Sequence, residues 1–302
     1  MKLKPTGLAL AMALSGIVVA TPAVAVPFTF DNGNVNGLMA SASRPASSGK
    51  FEIESADDFF LSNRTLINSA SFVGLLPSGV GLGSINDVRI EIYRVFPLDS
   101  NVARTSGPPT FSTTAVPTRV NSPSDVAFDT RDAAGATLSF ATSVLSSSFT
   151  ALNSVQPGGI HPAPGQRTGG NGPLTGQEVR FDVTFTSPFD LPANHYFFIP
   201  QVELAGAGDF EWLSSVRPIV APGTPFAPGI PDLQAWARDQ FLDPDWLRVG
   251  TDIVGGTPAP TFNLAFSLNG NTIPEPQTWA LLAAGLACLG GLSRRRRQAS
   301  TR

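Results

Sequence analysis

Apolar and polar residues alternate with a period of two along several stretches of this 302-residue chain. Between residues 178 and 186, Val179, Phe181, Val183 and Phe185 alternate with polar or charged residues. Successive side chains of a β-strand point to opposite faces, so this pattern predicts a strand with one buried and one solvated face. Residues 88–96 and 261–268 show the same alternation and are also predicted to be strands.

Shorter apolar runs predict further strands, and turn residues separate them. These runs are residues 49–53, 57–61, 66–75, 126–129, 136–142, 196–202, 210–213 and 247–249. The chain has 29 glycines and 27 prolines, and Asn-Gly pairs, which favour tight turns, begin at Asn32, Asn36, Asn171 and Asn269. One-sided strands bury their apolar faces when two sheets pack face to face. We therefore expect an all-β, antiparallel β-sandwich with a jelly-roll-like topology.

One segment shows helical periodicity instead. In residues 232–241, Leu233, Trp236, Ala237 and Phe241 fall on one side of a 3.6-residue repeat. Asp232 precedes them and is a suitable N-cap. This spacing predicts one short helix within the otherwise all-β domain.

The start of the chain predicts export. Lys2 and Lys4 precede an apolar segment at residues 7–20, and Ala23 and Ala25 supply the small residues that a signal peptidase requires for cleavage. We therefore expect a signal peptide at residues 1–25, followed by a secreted domain at residues 26–272.

The last thirty residues, 273–302, combine three features. Pro274, Glu275 and Pro276 precede an apolar run at residues 278–292. As a helix this run would be about 22 Å long, shorter than the roughly 30 Å hydrocarbon core of a membrane but able to span a thinned one. The basic residues that follow it, and that would mark its cytoplasmic end, are Arg294, Arg295, Arg296 and Arg297.

This three-part tail resembles the PEP-CTERM sorting signal of Gram-negative bacteria that make extracellular polysaccharide. The resemblance implies that an exosortase, a membrane protease, cuts near Pro274 to Pro276. It also implies export through the inner membrane, anchoring by the C-terminal helix, and then a place on the cell surface or in the extracellular matrix. An anchor that stays uncut is the alternative. Residues 51–75 are in addition similar to the opening of other secreted bacterial sandwich domains, which implies a jelly roll and no particular activity.

The charge of the predicted secreted domain argues against nucleic acid as a partner. Seven of the 20 basic residues but only one of the 23 acidic residues lie in the two terminal segments, which leaves 13 basic and 22 acidic residues and a net charge of −9. A domain this acidic repels phosphate backbones. The single cysteine, Cys288, lies in the C-terminal run, so the secreted domain contains no disulfide.

Motifs of nucleophilic, zinc and nucleotide chemistry are missing from the sequence. The two histidines are His161 and His195, no Gly-x-Ser-x-Gly or His-Glu-x-x-His motif occurs, and no glycine-rich loop ends in lysine. The polar run that begins at Asp31 spaces its oxygen atoms like a calcium loop, but Ser43 stands at the twelfth position from Asn32, where a carboxylate is needed. We interpret this run as a turn and expect no cofactor and no catalytic residue, with calcium in another geometry left open.

Two groups of residues are candidates for sugar chemistry. Glycoside hydrolysis needs two facing carboxyl groups, and the nominal pairs are Glu52 with Glu54, Asp57 with Asp58, Glu203 with Glu211, and Asp243 with Asp245. We interpret Glu52 and Glu54 as part of a solvated strand face. Trp212, Trp236 and Trp246 could contact a glycan, because indole rings cover the apolar faces of sugars. The alternative is that these rings form a small core under the loops.

These features predict an exported, exosortase-processed protein of the cell envelope or of a biofilm matrix. Its sandwich would be non-catalytic and associated with extracellular polysaccharide. Its other partners would be signal peptidase, exosortase and, before cleavage, the membrane. Two alternatives stay open, a carbohydrate-binding module and a glycoside hydrolase or polysaccharide lyase. Exposed aromatic rings would favour the module, and a deep cleft with facing acids would favour the enzyme.

Overall fold

The computed structural model describes residues 25–47, 49–105, 116–160, 167–217, 219, 230–273, and the single positions 285 and 289. Residues Ala25–Ile273 form one compact unit. Its strands are β1 (Pro27–Asp31), β2 (Val35–Ala42), β3 (Ile53–Leu61), β4 (Thr65–Pro77), β5 (Ile85–Arg94), β6 (Asp129–Asp132), β7 (Leu138–Ala151), β8 (Ser154–Val155), β9 (Leu174–Leu191), β10 (Asn194–Leu204), β11 (Glu211–Ser215), β12 (Trp236–Asp239), β13 (Leu247–Arg248) and β14 (Phe266–Thr272).

Two sheets contain these strands. In the eight-stranded sheet, β4 pairs with β9 along one edge and with β14 and β11 along the other. The sheet continues from β9 to β7, from β14 to β1, and from β11 through β2 to β8. The six-stranded sheet has the order β13-β12-β3-β10-β5-β6. All pairs are antiparallel except β2 with β8, which confirms the predicted all-β sandwich class.

The alternation read from the sequence defines the core. Val179, Phe181, Val183 and Phe185 of β9 are buried, whereas Arg180 and the other polar residues between them are exposed. The buried rings pack closely inside the sandwich. The main ring pairs are Phe72 with Phe181, stacked with centroids 4.7 Å apart, and Phe198 with Phe266, stacked at 4.9 Å.

Several predicted strands begin or end elsewhere. The predicted strand 261–268 starts at Phe266 and runs through Asn269 and Gly270 to Thr272. The pairing register with β4 shifts between Asn269 and Gly270, and a Cβ on Gly270 would lie 2.1 Å from the Leu66 carbonyl oxygen. This Asn-Gly pair therefore serves a bulge within a strand and not a turn. Residues 49–52 and 126–128 lie outside the strands, and β1 and β2 had no counterpart in the prediction.

The predicted helix at residues 232–241 is wrong. Residues Trp236–Asp239 form β12, which pairs with β3 from Ala56 to Ile53. Phe241, expected on the buried side of the helix, is 67% exposed. The spacing of Leu233 and Trp236 fits a helix, but it also fits a short strand that follows a loop. Pairing with β3 gives this segment the strand conformation.

The described residues contain little helix. Val249–Val254 form one turn of π-helix, and the remaining helical segments are three-residue 3-10 turns. No helix in the described part of the chain has the length and hydropathy needed to cross a membrane. The predicted signal peptide 1–25 lies outside the described residues except for Ala25, and the predicted helix 278–292 except for Gly285 and Leu289, which are helical.

Candidate functional site

The structure does not bring the three predicted tryptophans together on a surface. Trp212 is fully buried between the sheets and donates from Nε1 to the carbonyl of Ala265 at 2.9 Å. Trp236 and Trp246, each 2% exposed, pack in a second apolar cluster on the outer face of the six-stranded sheet. Burial of all three rings argues against the expected glycan-contacting patch, and only Trp236 and Trp246 form the small core that was its alternative. Trp236 also lines a pocket of about 240 Å³ with Asp232, Gln234 and Arg248.

A buried charge cluster lies beside Trp246. The Arg238 guanidinium is ion-paired with Glu54, donates to the Tyr93 hydroxyl at 2.8 Å, and lies 4.3 Å from the centroid of the Trp246 ring. The Tyr93 hydroxyl donates to Glu54 at 3.0 Å and lies 3.4 Å from Glu91. Glu54 is therefore part of a buried network, which corrects its interpretation as a residue of a solvated strand face.

The pKa of Glu91 indicates that this cluster holds a proton on the Glu91 carboxyl group at neutral pH. Burial, together with the neighbouring Glu54 carboxylate, raises the pKa of Glu91 to about 8. A glutamic acid that stays neutral at pH 7 beside a second glutamate resembles the acid of a glycosidase. Both side chains, however, are buried and share the Tyr93 hydroxyl, so a substrate does not reach them. We therefore assign this cluster a structural role.

A second buried cluster involves the predicted pair Asp57 and Asp58. Asp57 faces the core and accepts from Leu264 N and from the Asn32 side chain, both at 2.7 Å. Asp58 faces the other way and accepts from Leu233 N at 3.2 Å, with His195 Nε2 at 2.5 Å. Burial raises the pKa of both carboxyl groups well above the usual value and lowers the pKa of His195 to about 4. These groups join loops to the six-stranded sheet.

The remaining predicted acid pairs do not face each other across a cleft. Glu211 is buried on β11 of the eight-stranded sheet, whereas Glu203 lies on β10 of the other sheet. Asp245 is buried and paired with Arg104 at 3.2 Å, while the Asp243 side chain is 54% exposed. No group of three or more His, Cys, Asp or Glu side chains among the described residues is placed to hold a metal ion.

An open groove on the outer face of the eight-stranded sheet is the best candidate for a ligand site. Register places Asp31 of β1 beside Ser267 of β14, Ser267 beside Ser71 of β4, and Ser71 beside Asp182 of β9. Adjacent strands lie about 4.8 Å apart, so these four residues form one polar row across four strands. The Ser71 and Ser267 hydroxyls are 2.8 Å apart.

The groove has a volume of about 380 Å³. Its polar lining comes from Asp31, Asn34, Ser71, Glu178, Arg180 and Ser267. Val73 and the 52% exposed Leu145 supply apolar surface. Burial raises the pKa of Glu178, and Arg180 is held by Asp182 at 2.8 Å on the same strand. Hydroxyl, amide, carboxylate and guanidinium groups beside apolar surface suit a polyhydroxylated ligand.

Sequence reasoning found these residues only as the exposed positions of alternating strands. Arg180 and Asp182 were expected on a solvated face, and the run beginning at Asp31 was interpreted as a turn. That turn exists: Asp31 Oδ1 accepts from Gly33 N at 2.7 Å. The groove is built by neighbours in four different strands, and a single sequence carries no signal for which strands become neighbours.

Comparisons with known proteins concern the C-terminal tail. A family model described as the PEP-CTERM protein-sorting motif matches residues 272–297. No curated protein and no solved structure matches the chain. The matched residues contain Pro274, Glu275 and Pro276 and extend to the last of the four consecutive arginines, Arg297. The motif implies export, a membrane-anchored sorting signal and processing by an exosortase. The chain is therefore a PEP-CTERM domain-containing protein.

Proposed function

We propose that this protein, once exported and cut by exosortase, acts on the cell surface or in the extracellular matrix as a non-catalytic polysaccharide-binding sandwich. The observation that carries the proposal is the groove lined by Asp31, Ser71, Glu178, Arg180 and Ser267. A polar sheet face with several hydrogen-bonding groups in a row can follow a chain of sugar hydroxyls. Because the two aromatic residues of the lining, Phe72 and Phe266, are buried, we expect each copy to bind weakly. Many copies on one surface would together bind more tightly.

Replacing Arg180 by alanine is expected to weaken binding to the polysaccharide of the producing cell at least about tenfold. A hydrogen bond from a charged group contributes about 1.5–3 kcal/mol, and 1.4 kcal/mol corresponds to a factor of ten. Affinity electrophoresis of the exported protein in gels containing that polysaccharide measures the change. The fold should persist, since the pair of Arg180 with Asp182 is exposed on both sides.

Arg64→Ala is the matched control. Arg64, which directly precedes β4, also forms an exposed ion pair, with Asp190 of β9, and lies outside the groove lining. We expect Arg64→Ala to migrate like the unmodified protein. Equal retardation of Arg180→Ala and the unmodified protein, or the same loss in both variants, would remove the groove from the proposal. If one simple sugar competes with the polysaccharide for the protein, the result would support the first alternative, a carbohydrate-binding module.

A glycoside hydrolase remains the second alternative, because the groove also contains two carboxyl groups. The raised pKa of Glu178 is a property of a general acid, and Asp31 lines the same groove. Against catalysis, one Asp31 oxygen is already held by Gly33 N. Release of new reducing ends from the polysaccharide, abolished by Glu178→Gln, would establish the enzyme and refute the non-catalytic proposal.

A further inference from the structure

Most edges of the two sheets carry features that discourage pairing with another chain. The outer strand β6 has the sequence Asp-Thr-Arg-Asp, so three of its four residues are charged. The outer strand β1 starts with Pro27 and ends with Asp31. The outer strands β8 and β13 are only two residues long. Charge, proline and short length all make an edge a poor template for a further strand.

The edge formed by β7 lacks every one of these features. The strand is 14 residues long, and it contains no charged residue and no proline. Within the described part of the chain, β7 pairs with β9 alone. The pairing register is regular from Leu138 to Val144, and the first irregularity follows Val144. Alternate residues of such a strand direct their N–H and C=O groups away from the partner, so a regular seven-residue edge is available.

We propose that β7 pairs antiparallel with β7 of a second copy of this chain, around a twofold axis at Ala141. This register uses the whole regular segment. It places Leu138 opposite Val144, Ser139 opposite Ser143, and Phe140 opposite Thr142. A C2 pair must be complementary to itself, and in this register no charged residue of β7 faces the other copy. The two eight-stranded sheets then form one continuous sheet.

The charge distribution limits where a second copy can approach, and it leaves the β7 edge accessible. The predicted secreted domain carries a net charge of −9, so two copies repel each other over most of their surface. The β7 edge is a neutral strip. The nearest acidic residue in the central row is Asp182, which lies beside Ala141 on β9. Across the axis the two Asp182 residues would be about three strand spacings, or roughly 14 Å, apart, which is beyond the screening length of about 8 Å at physiological salt.

Apolar exposure along the same strand supports the register. Val144 is 42% exposed although its side chain lies on the core side, opposite Val179 of β9. Its neighbour Leu145 is 52% exposed. In the proposed pair Val144 lies directly opposite Leu138 of the other copy, and such a cross-strand apolar pair stabilises the pairing. An edge of seven residues is small, so we expect a dimer that forms and dissociates with concentration.

Sedimentation velocity of the protein isolated after export, over a wide range of concentrations, tests the proposal. The unmodified protein should shift from monomer to dimer as concentration rises. Ala141→Lys should raise the dissociation constant by up to about fivefold, because it places two like charges directly opposite each other. Ala141 is exposed, so the thermal midpoint should change little.

Thr184→Lys is the matched control, since it adds the same charge to the same sheet face one strand further in. We expect it to dimerise like the unmodified protein. A protein that stays monomeric at all concentrations, including one whose edge is instead used by another protein, would overturn the proposal. Equal weakening by Ala141→Lys and Thr184→Lys would also overturn it, because the effect would then come from net charge.

Discussion

Replacing Arg238 by methionine is expected to lower the free energy of unfolding by about 3–5 kcal/mol. The Arg238 side chain is 6% exposed and is paired with Glu54, which is equally buried. Methionine keeps much of the apolar stem but removes the charged guanidinium that lies over Trp246. The Glu54 carboxylate would then be left buried without its counter-charge. Equilibrium denaturation with urea measures the loss.

Arg64→Met provides the comparison for this change. The ion pair of Arg64 with Asp190 is solvated, with side chains 54% and 41% exposed. Solvated surface pairs contribute little to stability, so this variant should unfold near the midpoint of the unmodified protein. If Arg238→Met proved no more destabilising than Arg64→Met, the Glu54 cluster would not be a buried structural network.

The folded domain is also expected to lose stability as the pH rises from 6.5 to 8. The pKa of Glu91 is about 8 in the folded protein and near 4.5 when unfolded. Between these values the folded state holds a proton that the unfolded state has released, so raising the pH favours unfolding. Burial raises the pKa of Asp57, Asp58 and Glu211 as well, which acts in the same direction.

The measurement starts at pH 6.5 because His195 acts in the opposite direction below that pH. Its pKa is lowered from 6.5 to about 4 by burial, so below pH 6.5 the unfolded state binds a proton that the folded state does not. This group adds stability as the pH rises to 6.5 and opposes the acids there. Above pH 6.5 the unfolded histidine loses its remaining half-charge within about one pH unit, so it opposes the buried acids by only about 0.4 kcal/mol and they dominate the slope.

The variant Glu91→Gln measures how much of this pH-dependent loss of stability comes from Glu91 alone. Glutamine resembles the neutral glutamic acid in size and does not titrate, so the fall in stability between pH 6.5 and 8 should be smaller by up to roughly 2 kcal/mol. Urea denaturation at pH 6.5, 7.25 and 8 gives the slope for both proteins. A stability that rises over this range, or an unchanged slope in the variant, would contradict a neutral Glu91.

The fold class could be predicted because alternation is a local property. The buried residues of β9, from Val179 to Phe185, follow the two-residue period with no help from other strands. Residues 232–241 show where this fails. Four residues of β12 are too few to display a period, and contacts with β3, which lies some 180 residues earlier in the chain, determine their conformation.

The functional surfaces depend even more on partners distant in sequence. The sorting tail is read along a continuous segment, and its three parts were recognised in order. The groove needs Asp31, Ser71, Arg180 and Ser267 to be neighbours, which only the sheet pairing reveals. The tryptophans show the reverse case. They are close in sequence, but Trp212 and Trp246 belong to different apolar clusters.

Processing at the sorting motif is tested most directly by mass spectrometry of the protein recovered from the surface of the producing cell. The mature chain should end near Pro274 to Pro276, and peptides that contain Cys288 or the four arginines should be missing. Cells without exosortase should retain these peptides and serve as the control. Intact peptides spanning Pro276 to Arg294 in surface-exposed protein from exosortase-containing cells would contradict processing at this motif.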